Sequence, residues 1–185
     1  MKIFAVYAKL DLVKKPDWLD DFRLKYDKPY FFHLTLKQPC FIEEPEIPVI
    51  KDKLSKFFDE LILPNHAINL IFDELITEKV EGKGFYIMIG ARRNEDIFKL
   101  QSQVKGILVN YKNYKEPETK AYEDNFKPHI TIARQLNGNK FSQAKTDLKN
   151  DYTCEGVITE IVLSVIKEDT LQESNNPENL TVYRL

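Results

Sequence analysis

The sequence predicts an α+β fold of two related halves facing a central cleft, and three observations carry that reading. Strand-like and helix-like segments alternate irregularly, without the strict strand–helix repeat of a parallel sheet. Their order, strand, helix, strand, helix, strand, runs twice and hints at an internal duplication. Two short strings, His33-Leu34-Thr35 and His129-Ile130-Thr131, then place the same frame on the middle strand of each pass, ninety-six residues apart.

The elements follow in order. Residues 2–8, an apolar run after Lys2, read as the first strand, and a short helix runs from Pro16 through Phe22 and Leu24 to Tyr26. Residues 30–41 form a long strand that starts at Tyr30, holds the first motif and closes at Gln38-Pro39. Over 48–61 the apolar residues Val49, Ile50, Leu54, Phe57, Phe58 and Leu61 recur at helical spacing. Residues 67–75 alternate, 85–91 are a short apolar run, and Gly82-Lys83-Gly84 between them makes a hairpin. A helix over 94–110 is marked by Ile97, Leu100, Val104, Ile107 and Leu108. Residues 110–127, polar, tyrosine-rich and interrupted by Pro117, read as a long loop that runs directly into the second motif; loops of this length are commonly functional. A helix over 140–150 and strands over 156–167 and 180–185 complete the chain, which reads as one domain, 1–185.

Composition narrows the class. Hydrophobic content of 43% and charged content of 30% are ordinary for a soluble globular protein. With 27 basic and 29 acidic residues the net charge is −2, which argues against coating long nucleic acid through the overall field but leaves room for one phosphate at a local cluster. Cys40 and Cys154 are too few for a disulfide framework or a zinc site. The N-terminal apolar run is too short for a signal peptide and no run is long enough to span a membrane, so a cytoplasmic protein without membrane association is expected. Nothing in the sequence calls for an obligate protein partner.

The motifs carry the chemistry. On a strand, residues i and i+2 share a face, so His33 and Thr35 point one way and Leu34 and Leu36 the other, and His129 and Thr131 stand likewise against Ile130 and Ile132. Two core strands with an imidazole and a hydroxyl on their non-core faces are the walls of a cleft. Histidine titrates near neutrality, so one of a pair can donate a proton while the other accepts one. In-line displacement at a phosphodiester needs that pairing, and the threonine hydroxyls are placed to bond the non-bridging oxygens. A bland reading, two half-buried sheet histidines bonded to neighbouring threonines, requires the coincidence of two of three histidines in one frame. No metal is expected, because neither motif carries a second ligand at ligand spacing, and His66, after Pro64-Asn65, reads as a loop or strand-start residue. A nucleophile elbow and a glycine-rich phosphate loop are both absent from the sequence.

The residues around the motifs, Phe32-His33-Leu34-Thr35-Leu36-Lys37 and Phe126-Lys127-Pro128-His129-Ile130-Thr131-Ile132-Ala133-Arg134, resemble the two-histidine (2H) phosphoesterase superfamily. The resemblance is to its LigT-like branch of 2′-5′ RNA ligases and RNA 2′,3′-cyclic phosphodiesterases. It implies a two-lobed fold with antiparallel sheets, helices on their outer faces and a cleft that works without metal or other cofactor. It further implies that His33 and His129 are the acid/base pair, with His33 giving its proton to the leaving oxygen and His129 activating water. Thr35 and Thr131 would be the phosphate-binding hydroxyls, and Arg134 matches an arginine used on the phosphate. Strict alternation sends Arg134 to the face of Ile130 and Ile132, so it reaches the cleft only if the strand ends or bulges near Ala133. By the same alternation Lys37 faces the side of His33 and Thr35 as a second cation, or else is a solvated strand-end lysine. Phe31 and Phe126 are candidates to stack a base, with Tyr30 and Tyr122 beside the entrance in sequence.

The expected reaction is therefore opening of 2′,3′-cyclic phosphates on RNA ends or small cyclic nucleotides to 2′-phosphomonoesters, with 2′-5′ joining in reverse. The same residues also suit a phosphodiesterase of cyclic oligonucleotide signals. A non-catalytic nucleotide-binding module has no need of two titrating groups, and a factor gripping a long RNA tail fits poorly with near-neutral charge.

Overall fold

The structure is a computed structural model and describes residues 1–27, 31–61 and 67–185. Tyr30, expected at a strand start beside the cleft, and His66 lie outside the described residues. Among the described residues the strands are β1 (Lys2–Lys14), β2 (His33–Ile42), β3 (Ile68–Val80), β4 (Gly84–Ala91), β5 (His129–Leu136), β6 (Cys154–Ile166) and β7 (Leu180–Arg184). The helices are α1 (Leu19–Tyr26), α2 (Ile47–Glu60), α3 (Glu95–Ile107), α4 (Thr119–Asp124), α5 (Gly138–Asp147) and α6 (Leu171–Asn175). All strand pairings are antiparallel, in the order β2-β1-β6-β3-β4-β5, and β7 pairs with β6 where β3 leaves off. The expected α+β fold is thus present as one continuous sheet with helices.

The order is symmetric about the β6–β3 contact. The third strand of each pass crosses over: β3 pairs with β4 and β6 with β1. The helices cross too, since α1 packs on β5 and α3 on β2. Each motif strand is therefore backed by a helix of the other half.

The register repeats residue for residue. In one half Lys9 pairs with His33, Tyr7 with Thr35, Val6 with Lys37 and Phe4 with Cys40. In the other Gly90 pairs with His129, Met88 with Thr131, Ile87 with Ala133 and Phe85 with Leu136. Both ladders carry an extra residue in the motif strand directly after the threonine pair, and another further on. Such bulges turn the strand and change which side chains face the core. Leu36 and Lys37 are consequently buried in succession, as are Ile132 and Ala133.

Several elements run longer than their sequence pattern. Strand β1 continues to Lys14 because Leu10 and Leu12 keep the alternation against β6 although charged residues intervene. The Gly82-Lys83-Gly84 turn joins β3 to β4 with both glycines at positive φ, +72° and +101°. A Cβ on Gly84 would sit 2.6 Å from the Leu136 carbonyl oxygen, so that position needs glycine for space as well as for its backbone.

The segment 110–127 differs from the expected structureless loop. The Phe41 N–H donates to the Asn113 carbonyl (2.7 Å) and the Lys115 N–H to the Pro39 carbonyl (2.9 Å), so the segment runs antiparallel along the end of β2 before entering α4. Glu123 of α4 is the anchor. Its carboxylate accepts from Lys37 Nζ (2.9 Å), the Tyr114 hydroxyl (3.0 Å) and the Gln38 N–H (3.0 Å).

Candidate functional site

Both imidazoles enter one cleft of about 590 Å³, and the edge strands that carry them, β2 and β5, approach each other across it. The cleft is within the size range of small-molecule sites. Thr35 and Thr131 line it with the histidines, so the face assignment read from alternation holds for all four residues.

Backbone hydrogen bonds fix both rings in the same way. His33 Nδ1 lies 3.0 Å from the Phe31 carbonyl oxygen, and His129 Nδ1 lies 2.8 Å from that of Lys127. A carbonyl only accepts, so Nδ1–H is the donor in both rings and Nε2 is the nitrogen left to exchange protons. The preceding carbonyls are tied down as well, Phe32 by the Leu10 N–H (2.9 Å) and Pro128 by the Ala91 N–H (2.8 Å). The two imidazoles thus hang from equivalent points of the two ladders.

Their electrostatic settings differ. Desolvation pushes His33 down to about 4, assisted by the positive charges of Arg134, Arg23 and His129 and opposed by the Phe31 carbonyl. Desolvation also lowers His129, but there the Lys127 carbonyl and the negative charge of Glu78 oppose the shift. By the protein's own charges His33 is the more reluctant to hold a second proton. A phosphate anion beside it would offset the guanidinium charges and raise its proton affinity.

Arg134 stands where the β5 bulge puts it. Ala133 takes the core position, Arg134 turns out of the core, and Gln135 adopts φ +54°, a left-handed conformation uncommon outside glycine. The Arg134 guanidinium bonds Asp27, directly after α1, and Asp27 also accepts from Arg23 at 3.2 and 3.3 Å. Arg23 in turn lies 3.9 Å over the Phe32 ring. Arg134 does not line the cleft wall itself, yet its charge acts on His33.

Lys37 differs from expectation. The bulge at Leu36-Lys37 rotates it off the His33 face, so the second cation is absent from the cleft wall. It is only 2% exposed, paired with Glu123 and 4.5 Å over the Tyr114 ring. The residue that takes the cleft position is Gln38, five beyond His33, as Arg134 is five beyond His129. Sequence alternation misses a bulge; comparing the two motifs at equal offsets was the signal available.

The aromatic candidates separate. Phe126 lines the cleft and packs edge-on against Phe98. Phe31 lies outside the wall, edge-on to His33 with centroids 5.4 Å apart, while Tyr7 approaches the same imidazole at 4.8 Å. Residues the sequence reading passed over form the far wall: Glu78 on β3, Tyr86 on β4, and Lys83, Glu116 and Glu118. Tyr122, placed beside the entrance by sequence, donates its hydroxyl to Glu78 Oε1 at 2.8 Å. Among the described residues, no three of His, Cys, Asp and Glu converge at metal-binding spacing, and no helix is long and apolar enough to cross a membrane.

Comparison with known proteins agrees with this geometry. No curated protein sequence matches the chain significantly. Among solved structures, Usb1 of Kluyveromyces marxianus superposes with a TM-score of 0.59 at 10% identity, covering 99% of this chain and 98% of that one. TT0787 of Thermus thermophilus gives 0.52 at 16% identity, over 100% and 95%. Escherichia coli LigT complexed with 3′-AMP gives 0.50 at 13%, over 97% and 95%. At these identities the likeness is one of fold. The family model of the 2′-5′ RNA ligase superfamily matches residues 14–170, a span that contains both motif strands and every wall of the cleft. The chain therefore belongs to the 2′-5′ RNA ligase superfamily, the two-histidine phosphoesterases, which act on phosphodiester bonds of RNA.

Proposed function

We propose that the protein is a phosphodiesterase that opens 2′,3′-cyclic phosphates on RNA ends or nucleotides to 2′-phosphomonoesters. The observation that carries this reading is the pair of Nδ1-anchored imidazoles in one cleft, each with a threonine hydroxyl two residues along. One Nε2 takes the proton of the attacking water and the other returns a proton to the leaving 3′ oxygen. Thr35 and Thr131 hold the non-bridging oxygens, where charge accumulates, and Arg134 adds positive field from behind the motif strand. The family resemblance gives the donor role to His33, which is consistent with a substrate phosphate raising its proton affinity. With a 5′ hydroxyl in place of water as the nucleophile, the same displacement of the 3′ oxygen joins the 2′,3′-cyclic end to it through a 2′-5′ diester. Acid and base both come from protein side chains, so the proposed reaction has no step that needs a metal.

The test is hydrolysis of 2′,3′-cyclic nucleotides in the presence of a chelator, with the product phosphomonoester identified by chromatography. Release of the 2′-phosphomonoester, lost when His33 and His129 are both changed to Ala, supports the reading. Activity that survives the double change rejects it.

A further inference from the structure

The cleft continues past the histidine pair, and its far wall is unlike the reaction centre. Strand register sets the layout. On the cleft face, Thr131 lies beside Met88 and Met88 beside Ile76, and the next row is Tyr86 beside Glu78. That row is one two-residue step, about 7 Å, beyond the threonine row. A phosphate held at Thr131 would therefore leave its nucleoside facing Glu78, Tyr86 and Tyr122, with Phe126 on the connecting segment.

Two features of this wall restrict what fits. The first is charge: Glu78, Glu116 and Glu118 line the cleft against Lys83 and Lys127, and Lys83 is paired with both Glu116 and Glu118. A second phosphate there would meet net negative charge, whereas an uncharged base would not. The second is the fixed carboxylate. Tyr122 bonds Glu78 Oε1, and Oε2 has no hydrogen-bond partner among the described residues. Ionised, this group only accepts hydrogen bonds.

Given the reaction proposed above, we propose that Glu78 reads the nucleobase, with Tyr86, Tyr122 and Phe126 as its aromatic surround, and that the preferred substrate is a guanosine 2′,3′-cyclic phosphate end. Guanine presents N1–H and N2–H side by side, two donors that match the two oxygens of one carboxylate. Adenine and cytosine present one amino group beside an acceptor. Uracil presents a single N–H flanked by two carbonyls, which a carboxylate repels. Tyr122 keeps the carboxylate from rotating away, and ring stacking adds sequence-tolerant affinity.

The experiment compares kcat/KM for the four 2′,3′-cyclic mononucleotides between the wild type and Glu78→Gln, together with calorimetric binding of guanosine and uridine 2′-monophosphates. The expected guanosine-to-uridine ratio is at least ~10 in the wild type in both assays. In Glu78→Gln it falls toward one, because the amide opposes guanine donors with a donor of its own and satisfies a uracil carbonyl. Equal treatment of the bases by the wild type overturns the assignment while leaving the reaction standing. So does a loss in Glu78→Gln that is the same for every base, which would make Glu78 a partner of His129 only. If no cyclic nucleotide is hydrolysed, the proposed reaction fails and the binding ratio alone decides: a guanosine preference that Glu78→Gln removes supports the subsite, and equal binding rejects it.

Discussion

Around His33 the neighbouring charges are two guanidinium groups, Arg23 and Arg134, which share the fully buried carboxylate of Asp27. Around His129 the neighbouring charge is Glu78, a carboxylate held by Tyr122 at the cleft wall. The strands beneath are matched down to their bulges and to the carbonyls that orient each ring. Equal backbones carrying unlike charges teach that the repeat positions two interchangeable imidazoles, and that residues outside the motif make them unequal.

The comparison breaks most severely at the buried ion pairs that support each side. Changing Lys37 to Met leaves Glu123, almost wholly buried, without its cation. The expected loss is about 3–5 kcal/mol in chemical denaturation. Replacing Glu123 by Leu in the same chain should recover much of it, because an apolar pair carries no desolvation cost. Failure to recover would mean that Glu123 matters through its bonds to Tyr114 and Gln38 instead. Asp27→Asn should also destabilise the fold, since it removes the buried negative charge that Arg23 and Arg134 both bond.

A smaller effect tests the equivalence of the halves directly. Thr35→Val and Thr131→Val each remove a hydroxyl that donates to the phosphate in the proposed reaction, and each should lower kcat/KM by about 10²-fold or more. Effects within a few-fold of each other support matched strands. An effect confined to one threonine would mean that the phosphate sits against one half only.

The smallest effect concerns titration. His33 should titrate well below His129 in an NMR experiment on the free protein, near 4, and Arg134→Gln should raise it because one repelling charge is gone. The sign for stability follows. Between about 4 and the unfolded value near 6.5 the unfolded chain binds the extra proton, so stability falls as pH drops through that window. Arg134→Gln should shallow the decline, and an unchanged slope would leave desolvation and the charges of Arg23 and His129 as the cause.

Much of this site was legible in the sequence because strand periodicity is local. His33, Thr35, His129 and Thr131 follow from a two-residue repeat, and the order of elements followed from turn and helix signals. What escaped was set by pairing with distant strands. The bulge that buries Lys37 and exposes Gln38 arises from the register of β2 on β1, and no spacing within β2 records it. The bulge near Ala133, which Arg134 needs in order to reach the cleft, is present and turns that residue out of the core, but the guanidinium bonds Asp27 and does not line the wall. Asp27 and Glu78 were invisible for a related reason: their partners, Arg134 and Tyr122, lie 107 and 44 residues away in the chain. The segment 110–127 read as a loop because its order comes from Glu123 reaching back to β2, and α4, at six residues, is too short to show a period.

The claim at the centre is that the two imidazoles act as one acid/base unit, and a mutant cycle on 2′,3′-cyclic nucleotide hydrolysis tests it most directly. His33→Ala and His129→Ala should each reduce kcat by about 10²–10⁴-fold, and the double variant should be scarcely slower than either single one, as groups that act together are strongly non-additive. Losses that multiply in the double variant, or a single variant that retains wild-type turnover, would contradict the account.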